Sequence, residues 1–190
     1  MRVGLYFGSF NPIHIGHLII AQSMIDGADI EEVWFIVSPQ NPFKSSKQLL
    51  HEFDRYEMVY LAIKDNDRFK VSDIEFQMPK PSYTIDTLTY LTEKHPINDF
   101  VLIIGSDNLT SFHKWKNHKA ILKHYGLLVY PRPGTTDSEI SGHPNVKQVE
   151  APLLDISATF IRKKIRQRKS VRYLVPDAVL TCIEDRKFYQ

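Results

Sequence analysis

An α/β fold with a mainly parallel sheet is what this chain of 190 residues predicts, and three observations predict it. Short apolar runs rich in Val, Ile, Phe and Tyr alternate along the chain with amphipathic stretches of helical length. Segments rich in Pro, Gly, Ser and Asn fall between these runs and not inside them. No internal repeat, low-complexity tract or break in composition interrupts the pattern, so one domain is expected to span residues 1–190.

The elements follow in order. Arg2–Phe7 reads as the first strand, and an apolar helical pattern runs from His17 to Ile25. Glu32–Val37 is the second strand. After a loop over Ser38–Lys47, a helix is expected at Glu52–Asn66 and a third strand at Phe69–Ser72. The loop Gln77–Ser82 leads to a helix at Ile85–Lys94, then to strand Asp99–Ile104. A short helix at Ala120–His124, strand Tyr125–Tyr130, the loop Pro131–Pro144 and strand Asn145–Glu150 complete the sheet. Two C-terminal helices are expected, from about Thr159 to Gln167 and from Pro176 to Asp185. Pro176 suits a first helical turn, where its missing N–H would have no partner in any case.

Composition limits the function. With 43% hydrophobic and 24% charged residues, the chain has globular composition and can bury a core without disulfides. The single cysteine, Cys182, sits in an apolar stretch and reads as a small buried hydrophobe. The apolar run at the N-terminus ends in glycine with no cleavage-site pattern, and no stretch approaches the ~18 apolar residues of a membrane span. These features predict a cytoplasmic protein with no membrane partner. A net charge of +2 does not point to nucleic acid. The basic residues are uneven, however: Arg162, Lys163, Lys164, Arg166, Arg168, Lys169 and Arg172 crowd one segment that contains no acid. That segment is either a solvated helix face or a polyanion site.

The first chemical constellation follows the first strand: Phe7-Gly8-Ser9-Phe10-Asn11-Pro12-Ile13-His14-Ile15-Gly16-His17. In an open parallel sheet, ligands bind at the carboxyl ends of strands beside helix N-termini, where unpaired amides favour an anion. Gly8 and Gly16 permit close backbone approach. His14 and His17, three apart at such a helix entrance, share a face and can donate hydrogen bonds to phosphate oxygens. No third ligand at local spacing argues for a dedicated metal site. This segment resembles the HxGH signature of the adenylyltransferase branch of the nucleotidyltransferase superfamily. In particular it is similar to the GGTFDPxHxGH form of bacterial nicotinate-nucleotide adenylyltransferases. Phe7 replaces the first glycine of that form, and Asn11 stands where Asp is usual. The resemblance implies a Rossmann-like nucleotidyltransferase domain with a small helical C-terminal part.

The second constellation, Asp155-Ile156-Ser157-Ala158-Thr159-Phe160-Ile161-Arg162, opens the basic segment. Ser157 or Thr159 can cap a helix, and Arg162 one turn later can reach back with a planar donor fork. By itself this is a capped basic helix. It resembles the superfamily's ISxTxIR motif, which implies that Ser157, Thr159 and Arg162 hold the β- and γ-phosphates of ATP. Ala158 replaces a second serine common among relatives.

Three middle segments bear on the acceptor. In Pro81–Leu88, Ser82 or Thr84 can begin a helix whose free amides point at an anion, the acceptor's carboxylate or phosphate. The segment is similar to the family's SYTxDTL segment, which implies that Tyr83 and Thr84 bind the acceptor. Ile103–Asn108 resembles the IIGxD segment, implying that Asp107 meets the nucleotide sugar and that Gly105 lies with it at the ATP site. Phe112–Lys116 resembles a segment whose tryptophan stacks on a pyridine ring, the role implied for Trp115. Lys44 matches a loop lysine that reaches toward phosphate, although Phe43 replaces the histidine common there. Tyr173–Asp177 is similar to the YLxPD segment, so the resemblance runs over essentially the whole chain.

Together these matches imply transfer of AMP from ATP to nicotinate mononucleotide, releasing pyrophosphate. His14, His17 and Arg162 are then the catalytic group. Gly8, Ser9, Phe10, Gly16, Lys44, Gly105, Asp107, Ile156, Ser157 and Thr159 join Arg162 around ATP. Tyr83, Thr84, Asp107 and Trp115 hold the acceptor, and Mg²⁺ arrives with ATP. The same chemistry on nicotinamide mononucleotide or phosphopantetheine, a non-catalytic nucleotide sensor, and nucleic-acid binding through the basic segment are the alternatives. Oligomeric state is left open, a homo-oligomer included.

Overall fold

The computed structural model describes residues 1–39, 49–135 and 138–190. Among these residues six strands form one sheet: β1 (Arg2–Gly8), β2 (Glu32–Val37), β3 (Phe69–Ser72), β4 (Asp99–Gly105), β5 (Leu127–Tyr130) and β6 (Val146–Gln148). Their order is β3-β2-β1-β4-β5-β6, and each neighbouring pair is parallel. The direction of winding reverses between β1 and β4. That junction is the topological switch point, where an open α/β sheet leaves a crevice beyond its carboxyl ends.

Among the described residues seven helices accompany the sheet: α1 (Ile15–Gly27), α2 (Glu52–Ile63), α3 (Thr84–Lys94), α4 (Ser106–Ser111), α5 (His118–His124), α6 (Ala158–Arg166) and α7 (Asp177–Asp185). Strand alternation feeds two cores. Tyr6, Phe35 and Val101 point to one face, where Ile20 and Met24 of α1, Met58 and Val59 of α2, Ile161 of α6 and Val179 of α7 are buried. Val3, Leu5 and Leu102 point to the other, against Leu88 and Leu91 of α3 and Ile121 of α5. Cys182 is buried in the first core. No helix among the described residues is long and apolar enough to cross a membrane.

The expected strands and helices are all present, with corrected ends. β5 starts at Leu127 instead of Tyr125, because Gly126 adopts φ +72° and donates back to Ile121, closing α5. Pro176 is the residue before α7, with extended ψ of 150°, and not part of its first turn. α1 begins at Ile15, with His14 as its N-cap. The helix α4 and the 3-10 turns Ile74–Gln77 and Phe112–Lys114 were not expected. In α4 only Leu109 is buried, so its six residues carry no hydrophobic period to read.

Candidate active site

The first constellation lies at the switch point. β1 ends at Gly8, α1 begins after His14, and the two imidazoles stack with centroids 3.7 Å apart. Gly16 makes this possible: a Cβ there would sit 3.0 Å from His14 Nδ1 and 3.8 Å from Ile156 Cβ. The His14 backbone N–H donates to His17 Nδ1 at 3.2 Å. That nitrogen is therefore unprotonated, and a neutral His17 carries its proton on Nε2, as a donor. Burial is the main cause that lowers the His14 pKa to about 4, with the positive Arg132 adding to it. The same burial, then His14 and Arg132, pushes His17 well below the ordinary histidine value. Both rings are thus neutral donors at pH 7, and a bound anion would offset the cost of charging them.

The loop before them is turned inward. Phe10, 2% exposed, packs edge-on against Tyr6 and His17, with centroids 5.8 and 5.1 Å away. Its ring fills the space over Gly8, where a Cβ would come within 2.8 Å. In this chain Gly8 thus makes room for Phe10 itself. Phe10 holds φ +44°, an unfavourable conformation for a residue with a side chain, so its surroundings must hold it there.

The second constellation meets the first across most of the chain's length. Ser157 caps α6, its hydroxyl accepting from the Phe160 amide at 3.2 Å. Arg162 Nη1 donates to the Asn11 carbonyl at 2.8 Å and Nη2 to the Thr159 hydroxyl at 3.3 Å. Among the described residues, five buried side-chain nitrogen or oxygen atoms lack a hydrogen-bond partner. Three of them are His14 Nδ1, Arg132 Nε and Arg162 Nε. Native interiors leave few such atoms, and their concentration here marks a place built for a polar ligand.

On the β4 side, Gly105 has no side chain because the Asp107 carboxylate and Arg132 Cγ occupy that space. Asp107 lies in the first turn of α4, and its Oδ1 is 3.8 Å from Arg132 Nε. Arg132 also donates to the Tyr130 hydroxyl at 3.2 Å, which in turn lies 3.4 Å from that of Tyr6. Thr84 is the first residue of α3 and Tyr83 its N-cap. Trp115 is half-buried against Phe112, at 5.5 Å between centroids. Lys116 links these two places, reaching Asp86 at 2.9 Å and lying 4.6 Å over the Tyr83 ring. Lys44 and Phe43 lie outside the described residues.

Two residues were not expected. Arg132 stands two positions after a buried strand, inside a proline- and glycine-rich loop, and a lone arginine in a loop carries no signal of its own. Arg55, fully buried on α2, donates to the carbonyls of Ser9 at 2.6 Å, Ser38 at 2.7 Å, Leu50 at 2.9 Å and Pro39 at 3.0 Å. It occupies a core position of its helix, beside Met58 and Val59, and that is the one available clue.

The cytidylyltransferase-like family model matches residues 5–164. A probable nicotinate-nucleotide adenylyltransferase of Cytophaga hutchinsonii is 59% identical over 189 residues, covering 100% of this chain and 98% of its own. The chain belongs to the cytidylyltransferase-like family, among its nicotinate-nucleotide adenylyltransferases. Another such relative, from Flavobacterium psychrophilum, is 46% identical with both chains fully covered. Among solved structures, the Plasmodium falciparum nicotinic acid mononucleotide adenylyltransferase complexed with NaAD matches with a TM-score of 0.82. That match covers 99% of this chain and 97% of the other at 20% identity, and it establishes the shared fold. The HxGH and ISxTxIR segments of this family member are therefore the ones that the fold brings together at residues 11 and 162.

Proposed function

We propose that this protein transfers the adenylyl group of ATP to nicotinate mononucleotide, forming deamido-NAD and pyrophosphate in the cytoplasm. The observation that carries the reading is the junction of the neutral histidine pair with the Ser157–Thr159–Arg162 helix end, through the 2.8 Å bond from Arg162 to Asn11. The names of the relatives supply the acceptor.

The reaction needs no enzyme nucleophile. A 5′-phosphate oxygen of the mononucleotide bonds to the α-phosphorus of ATP as the bond to the α,β-bridging oxygen breaks, and pyrophosphate leaves. The attacking oxygen is already anionic, so no general base is required, and catalysis consists of positioning and charge stabilisation. His17 Nε2–H and His14 are donors to the reacting phosphates. Ser157, Thr159 and Arg162 hold the departing pyrophosphate, as do Lys44 and the α1 entrance around Gly16. Asp107 accepts from ribose hydroxyls. The α3 N-terminus at Thr84 takes the pyridine carboxylate while Trp115 stacks on the ring.

Mg²⁺ would enter on ATP's oxygens and neutralise charge that builds on the phosphates. The donor set fits a cation that brings phosphate ligands with it: the described residues contain no group of three His, Cys, Asp or Glu able to hold a metal by themselves.

The test is pyrophosphate release from Mg-ATP, with nicotinate and nicotinamide mononucleotides in parallel. Strong preference for the acid is expected. Preference for the amide would overturn the acceptor, and silence with both would overturn the activity.

A further inference from the structure

We propose that Tyr189, which follows the last helix, is a positioning residue for adenylyl transfer, acting through Asn11 on the ATP side of the site. The inference rests on the adenylyltransferase reading above and adds a residue to it. Asn11 is 4% exposed and follows Phe10, the residue held at φ +44°. The Tyr189 hydroxyl donates to Asn11 Oδ1 at 2.9 Å, and the Leu50 amide reaches the same oxygen at 3.3 Å. Arg162 takes the carbonyl of the same residue at 2.8 Å. Asn11 is thus the point where the C-terminal segments grip the nucleotide loop.

The route to the chemistry is short. Phe10 precedes Asn11, and the Phe10 ring packs on His17. A shift of Asn11 therefore reaches His17 through Phe10 and Arg162 through the carbonyl. Interiors close-packed in this way transmit such displacements. Tyr189 is built to hold its place. Lys187 and Tyr189 both lie in the left-handed region, at φ +55° and +64°, so the chain leaves α7 in two unfavourable steps that bring the hydroxyl back over the loop. The Phe188 amide closes the first of them on the Ile183 carbonyl at 3.0 Å. Burial raises the hydroxyl pKa well above that of free tyrosine, so the group remains a donor at every working pH. Arg55 and Arg162 are both close enough to oppose that rise, which places the hydroxyl in the field of the two guanidiniums that fix Ser9 and Asn11.

Tyr189→Phe removes one hydroxyl and keeps the ring. Loss of a single hydrogen bond predicts a fall of roughly three- to tenfold in kcat/KM for ATP, with KM for nicotinate mononucleotide within about twofold of the parent. A purely structural role would instead lower thermal stability and raise KM for both substrates together. The control is a double-mutant cycle with Asn11→Ala, in which Tyr189→Phe should cost nothing further. Equal kinetics for Tyr189→Phe and the parent, or a rise in KM shared by the two substrates, would overturn the proposal while leaving the activity intact. An inactive parent enzyme would instead overturn the reading on which it rests.

Discussion

The two ends of the candidate site are built differently. At the end assigned to the phosphates, the histidines and their loop are buried and held by chain-distant partners, with Ser157 and Thr159 exposed at its rim: His14 is 5% exposed, and residues 9–11 are fixed by Arg55, Arg162 and Tyr189. At the end assigned to the pyridine ring, Trp115 and Thr84 are half-buried and the polar groups around them stand in solvent. Tyr83 is 40% exposed, and the side chains of the Lys116–Asp86 pair are 45% and 46% exposed. Low-dielectric surroundings strengthen each interaction of the first end and make each unmet one costly, whereas water screens the second. The difference matches the work required. On the proposed assignment, the first end must stabilise charge that forms at the transition state, which demands preorganised donors. The other end needs only to bind and orient a ring.

The largest expected effect therefore comes from removing a buried donor. His17→Ala should reduce turnover by roughly 10²–10³-fold, the scale of one lost preorganised donor, with KM for both substrates changed far less. Steady-state pyrophosphate release measures it. Near-parental turnover would mean that the stacked histidines do not act on the reacting phosphates.

Acid should act almost as strongly on the same end. His14 has a folded pKa of about 4 against 6.5 when unfolded. Between these values the unfolded chain binds the proton and the folded one does not, so stability is full above pH 6.5 and falls as pH drops toward 4. For this residue alone the loss reaches about 3 kcal/mol, and the depressed value of His17 acts in the same direction. Urea titrations at pH 7 and pH 4.5 would show the loss, and His14→Gln should reduce its pH dependence. An unchanged slope in that variant would contradict the burial of a neutral His14.

This contrast also explains what the sequence made legible. The strands were readable because buried parallel strands are continuous apolar runs, as in Val33–Val37 and Phe100–Ile104. The histidine pair and the Ser157–Arg162 segment were readable because each is local: spacing of three on a helix entrance puts the groups on one face. Arg132 and Arg55 were not, since their roles depend on sheet order. The charge of Arg132 is felt by the histidines because β5 lies beside β4, and β4 beside β1. Arg55 binds carbonyls, and backbone acceptors leave no mark on the residue types that carry them. The helix α4 escaped for want of length, and Tyr189 because 178 positions separate it from Asn11.

Trp115 sharpens the comparison at the exposed end. If its indole stacks on the acceptor ring, Trp115→Ala should raise KM for nicotinate mononucleotide by about tenfold, since aromatic pairing contributes roughly 0.5–1.5 kcal/mol beyond area burial. KM for ATP should stay within about twofold. Trp115→Phe should recover most of the loss, because a smaller flat ring can still stack. Trp115 also packs on Phe112, so a melting temperature for each variant separates lost stacking from lost packing. A loss shared by both substrates would assign Trp115 to the core instead of the acceptor.

The smallest effect belongs to Lys116. Its ammonium is bonded to Asp86 at 2.9 and 3.2 Å and lies over Tyr83, yet both partners of the ion pair are about half exposed. A pair of this kind is worth ~0–1 kcal/mol, and salt weakens it further. Lys116→Ala should therefore change unfolding stability by less than about 0.5 kcal/mol and KM for the acceptor by less than about threefold. The acceptor's carboxylate makes this residue informative despite the small number. If the α3 amides alone hold that carboxylate, the acid-to-amide preference of the Lys116→Ala enzyme should equal the parent's at both low and high salt. If preference falls steeply and the fall is lost in salt, Lys116 is reading the charge, and the exposed end contributes discrimination as well as orientation.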